Sequence, residues 1–162
     1  MAYSQSCQLV AQMAGSQYET RAFWFASLSP PSKLNTKIKV ALIERNGAWF
    51  VYKGEKDWFG LEHCASKKLK IKGEMIEVVP VLYNHQNGRS AVINGVFVIK
   101  VYRVSDLSLL SSRYGFKKVS TLPNRFTAVF DTRPQISYDH MIEQLDQDRD
   151  IEIVIPVLSE PE

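Results

Sequence analysis

Side chains able to act as nucleophiles, acids or bases are few and far apart. Cys64 and His85 could serve a hydrolase as a thiol–imidazole pair, the thiolate attacking and the ring taking its proton. Asp131 and His140, with the carboxylates near them, offer acid/base partners. Neither set has the spacing of a triad, no Gly-rich phosphate loop accompanies them, and His63, His85 and His140 share no metal-ligand spacing. An enzyme, a metal site and a cofactor are therefore not expected. Cys7 and Cys64 have a second possible use, because two cysteines allow either one disulfide or two reduced thiols.

Charge is unevenly spread. From position 135 onward, eight acids (Asp139, Glu143, Asp146, Asp148, Asp150, Glu152, Glu160 and Glu162) face one base, Arg149, which leaves 19 of the 20 Lys and Arg with the other nine acids. An acidic terminal segment is a poor phosphate-binding surface, so nucleic acid is not an expected partner. No run approaches the roughly 18 apolar residues of a membrane span. With 45% hydrophobic residues in 162, the chain can build a core, as one domain or two small ones.

The first half alternates like antiparallel β structure. "TKIKVALIERNGAWFVYKG" sets Ile38, Val40 and Leu42 before Asn46-Gly47 and Trp49 and Val51 after it, the pattern of a hairpin with a type I′ turn. "AFWFASL" and "KLKIKGEMIEVVPVLYNH" read as further strands, broken by Gly73 and by Pro80, whose missing N–H suits an edge or bulge. The aromatic set Phe23, Trp24, Phe25, Trp49, Phe50, Trp58 and Phe59 is expected in a core. "SPPSKLN" and "NHQNGRS" read as loops, and a boundary near Gly88 to Gly95 divides a smaller β-rich domain, 1–93, from a second domain, 94–162.

Beyond Gly95 the element order is legible. "VFVIKVYR" is a strand with Phe97, Ile99 and Val101 on one face and Val98, Lys100 and Tyr102 on the other. Ser105 can cap a helix carrying Leu107, Leu110 and Tyr114 and closed by Gly115. "FKKVS" and "RFTAVFD" are strands around the turn "TLPN". Ser137 can cap a second helix, with Tyr138, Met141, Ile142 and Leu145 on one side. A last strand turns Ile151, Ile153 and Ile155 inward. The order β-α-β-β-α-β predicts an α+β, ferredoxin-like domain with both helices on one face of a four-stranded sheet. Its other face would carry Val98, Lys100, Tyr102, Thr127, Val129, Glu152 and Val154.

Three stretches, "GVFVIKVYR", "RYGFKKVSTLPNRFTAVF" and "MIEQLDQDRDIEIVIPV", give residues 95–162 a resemblance to the propeptides of subtilisin-like serine proteases. With 1–93 ahead of it, the chain is similar to the separately encoded external chaperones and inhibitors of secreted bacterial subtilisin-like, kexin-like proteases. That resemblance implies a protein that helps one protease mature and then blocks it in a one-to-one complex, without enzymatic activity of its own. It implies a periplasmic or secreted location, with the signal segment expected ahead of this sequence, and hence a Cys7–Cys64 disulfide.

The resemblance also implies residue roles. The outward sheet residues would dock on the protease, while Pro156, Val157, Leu158, Ser159, Glu160, Pro161 and Glu162 leave the sheet and lie in its cleft as an added strand. Glu152, Asp146, Asp148 and Asp150 would meet helix N-termini of the protease. One departure is the tail's last residue, since a cleft suited to basic side chains accommodates Glu162 poorly. The alternatives are a generic protein-binding domain and an RNA-binding module of the same element order, for which "NRFTAVF" lacks the Lys/Arg-Gly pair.

Overall fold

Apolar alternation runs through both halves, and the strands it makes join edge to edge. The computed structural model describes residues 6–34, 39–55, 64–71, 73–132, 134 and 137–160; Trp58, Phe59, His63, Pro161 and Glu162 lie outside them. The elements begin α1 (Gln8–Ala14), β1 (Tyr18–Ser27), α2 (Pro31–Leu34), β2 (Val40–Asn46), β3 (Trp49–Gly54), β4 (Lys67–Ile71) and β5 (Glu74–Asn84). They continue with β6 (Arg89–Val101), α3 (Asp106–Tyr114), β7 (Lys117–Thr121), β8 (Thr127–Asp131), α4 (Tyr138–Asp146) and β9 (Ile151–Ser159).

The pairing corrects the expected fold class. Strands run in the order β2-β3-β1-β5-β6-β8-β7, with β4 on β5 and β9 on β6, so the described strands form one nine-stranded antiparallel sheet. This mostly β architecture with few helices replaces the expected ferredoxin-like α+β fold. The physical cause is the length of β6. Its 13 residues pair with β5 through Arg89–Val92 and with β8 through Val96–Lys100, so the sheet continues across position 93. The stretch "NHQNGRS" is a tight turn closed by the pairing of Asn84 with Arg89, and Gly88 supplies the positive φ of 71°.

A second difference lies in the β2–β3 hairpin. Asn46 pairs with Trp49, so Gly47 and Ala48 are the central turn residues, one position later than the Asn-Gly pattern predicts. Positive φ occurs at Gly47 (61°) and not at Ala48, which is the type II′ arrangement. Asn46 becomes a strand residue, buried at 1% exposure.

Helices α1, α3 and α4 cover one face of the sheet. Val10, Leu110 and Ile142 close on Phe97, Ile99 and Phe130 within a single buried cluster. Gly115 ends α3 in the left-handed region (φ 76°), and Ser137 caps α4 by accepting the His140 N–H at 3.0 Å. Ser105 is itself helical and its side chain caps nothing.

The sequence pattern does not announce α1, and its start explains why. Its orphan N–H groups are satisfied from a distant segment: the buried Asp139 of α4 accepts from Cys7 (2.8 Å), Leu9 (2.9 Å) and Val10 (3.3 Å). Burial pushes the Asp139 carboxyl upward, and those three N–H groups pull against it. A Cys7–Cys64 disulfide, with Cα atoms 5.1 Å apart, fixes the same helix end.

Candidate protein-docking face and C-terminal tail

Residues opposite one another on antiparallel strands share a face, so the register of β6 defines the uncovered side of the sheet. Val98 lies between Val129 of β8 and Ile155 of β9, and Lys100 lies between Thr127 and Ile153. The helices sit on the opposite side. Ile153, Ile155 and Val157 are 42%, 46% and 40% exposed, an apolar row beside the half-buried Val98 and Val129. The N-terminal strands lengthen the sheet through β5 and leave this row open.

That row differs from the expected one because β9 changes phase. Val101 pairs with Ile151 while Lys100 pairs with Ile153, so Glu152 is the extra residue of a bulge and every later side chain turns over. Val154, expected outward, is buried at 7%, and Ile153 and Ile155, expected inward, face solvent. Strict alternation in a sequence carries no sign of such an inserted residue.

Among the other expected docking residues, Thr127 is buried and its hydroxyl receives the Asn124 amide at 3.1 Å. Tyr102 is 60% exposed just past the end of β6. Glu152 reaches Lys100 at 3.3 Å.

The acidic turn is engaged within the chain. Asp148 accepts from Arg113 (2.5 Å), from the Tyr114 hydroxyl (2.5 Å) and from the Asp150 N–H (2.9 Å), and Asp150 meets the other Arg113 nitrogen at 2.9 Å. Burial raises the Asp148 carboxyl, but these hydrogen bonds outweigh it and hold the group below its ordinary value. Tyr114 is pushed up to about 12 by burial and by Asp148. These contacts tie the end of α3 to the start of β9, with Arg113 paired to both Asp148 and Asp150. Asp146 is exposed.

Nor does the chain leave the sheet at Pro156. Pro156 is buried opposite Phe97, and β9 continues to Ser159, which lies opposite Val92. The proline is tolerated because, among the described strands, β9 pairs with β6 alone, and a sheet admits proline in a strand bonded on one side. Val157 is exposed, Leu158 packs partly against the main core, and Glu160 follows the strand.

The groups considered for catalysis are spent elsewhere or stand apart. Cys64 is fully buried in its disulfide, which removes it as a nucleophile. His85 lies on the surface 3.8 Å from Glu19, and His140 lies 3.9 Å from Glu143. Asp131 is half-buried at the end of β8. Phe130 sits in the core rather than on a stacking surface. No group of three metal-ligating side chains occurs among the described residues, and no helix among them is long and apolar enough to cross a membrane.

No family model, no curated protein and no solved structure matches the chain.

Proposed function

We propose that this chain is a protein-docking module that assists and then inhibits a secreted subtilisin-like serine protease of the kexin-like type, in a one-to-one complex. One observation carries the docking part: an uncovered sheet face presents Ile153, Ile155 and Val157 beside Val98 and Val129, with helices α1, α3 and α4 on the other side. Exposed apolar rows of this kind mark surfaces that another protein covers. The class of partner rests on the resemblance of residues 95–162 to protease propeptides. The buried Cys7–Cys64 disulfide fits a periplasmic or extracellular location.

Titration of an active kexin-like protease with the pure protein tests the reading. The expected result is loss of peptide hydrolysis that saturates at equimolar protein. Ile155→Asp is expected to weaken the complex roughly 30-fold or more, as loss of a central apolar contact does at an interface. Undiminished hydrolysis at micromolar protein would refute the inhibitor reading.

A further inference from the structure

The last residues of β9 are held differently from the rest of the strand. Ile151–Pro156 pair with Val101–Phe97, and then β6 bulges: Asn94 Oδ1 accepts the Val96 N–H at 3.0 Å and Gly95 takes a φ of 88°. Beyond the bulge the described register contains two pairs, Leu158 with Ile93 and Ser159 with Val92. The ladder there is short, and polar side chains take over.

Four strands send a side chain to the same two residues. Asn46 of β2 donates to the Ser159 carbonyl at 3.3 Å, and Asn94 of β6 donates to its hydroxyl at 2.8 Å. Tyr18 of β1 and Asn84 of β5 both donate to Glu160 Oε1, at 2.9 and 3.0 Å. Asn46 and Asn84 are buried at 1% and 7% exposure, so their amides are fixed in place. Asn46 is held further by the Ser90 carbonyl at 3.0 Å, and Glu44 accepts the Ser90 N–H at 2.6 Å, which brings β2 against β6. Two buried amides, aimed at the Ser159 carbonyl and the Glu160 carboxylate, and the half-buried Asn94 amide on the Ser159 hydroxyl form a polar cradle.

We propose that this cradle is a peptide-binding site occupied by the chain's own tail, Ser159-Glu160, and that the tail must leave it to act on a partner. The ligand class is an extended peptide with a small hydroxyl residue followed by a carboxylate. Its apolar anchoring is slight, because Leu158 is half-buried and Val157 exposed. The Tyr18 bond to Glu160 is exposed and the other three are only part-buried, so water can replace the tail on each donor, which makes the segment after the bulge releasable. The release step rests on the protease reading; the occupied cradle does not.

Amide hydrogen exchange of residues 157–160 in the free, full chain tests the cradle, with residues 97–101 as an internal reference. Tyr18→Phe is expected to speed exchange there roughly threefold to tenfold, as loss of one hydrogen bond does. Glu160→Ala is expected to speed it more, and Tyr18→Phe added to Glu160→Ala to do nothing further. Unchanged exchange in both single variants overturns the proposal.

Tyr18 lies outside the tail, so Tyr18→Phe is also expected to raise the association rate with a kexin-like protease by a similar factor. Faster exchange with an unchanged association rate removes the release step and leaves the cradle. Faster exchange in a protein that never binds the protease leaves the cradle standing and sinks the protease reading.

Discussion

Strands β6, β8 and β9 present two apolar faces that differ in what covers them. On one side Phe97, Ile99 and Phe130 are fully buried beneath helices. On the other, Ile153, Ile155 and Val157 keep 40–46% of their surface in water. Residue type alone does not separate the faces, since both carry branched aliphatics. Coverage separates them: the helix side supplies folding stability, while the open side adds little to it and is the side proposed for docking.

The largest expected effect breaks the covered side. Phe97→Ala empties a fully buried position beside the Tyr138 ring, whose centroid lies 5.8 Å away. It should lower unfolding free energy by about 3–5 kcal/mol in a urea titration. A loss below 1 kcal/mol would mean that the helices do not cover this face.

Next is the link between α1 and α4. Asp139→Asn keeps one acceptor oxygen but turns an amide N–H₂ toward one of the three N–H groups, and a buried donor left unpaired costs about 2 kcal/mol. The pH dependence carries its own sign. Burial raises the folded-state value of Asp139, against the pull of the three N–H groups and with a smaller push from Glu143. A raised carboxyl favours the folded state most below the unfolded value of about 3.9 and loses that contribution as pH rises through the folded value. The wild type's advantage over Asp139→Asn should therefore widen as pH falls from 7 toward about 4. Equal advantages at both ends of that range would show that Asp139 does not titrate as its burial requires.

These two positions also mark what could be read before the fold was known. Phe97, Ile99, Leu107, Leu110, Met141 and Leu145 announce themselves by period 2 or 3.6, and the structure buries all six. Asp139 does not, because it looks like an ordinary first-turn acid and its partners are N–H groups at the other end of the chain. The same limit hides the cradle. Asn46 reads as a turn residue until pairing with Trp49 moves it into a strand, and only the rolled sheet brings it to Ser159. The long β6, which joins two predicted domains' worth of strands, was invisible for a similar reason: nothing local in "NHQNGRSAVINGVFVIKV" says which strand each half will pair with.

The smallest expected effect sharpens the comparison most, because it uses neighbours on one strand. Val154 is 7% exposed on the helix side and Ile155 is 46% exposed on the open side. Threonine fits a strand at either position, so only the environment differs. Val154→Thr buries a hydroxyl among apolar groups and should cost about 1–2 kcal/mol. Ile155→Thr should change stability by no more than about 0.5 kcal/mol. If the costs were reversed, the bulge at Glu152 would be absent and β9 would keep the simple alternation of its sequence. The outward row would then be Val154 and Glu152 instead of Ile153, Ile155 and Val157, so a pair of unfolding curves decides which side chains the proposed docking face presents.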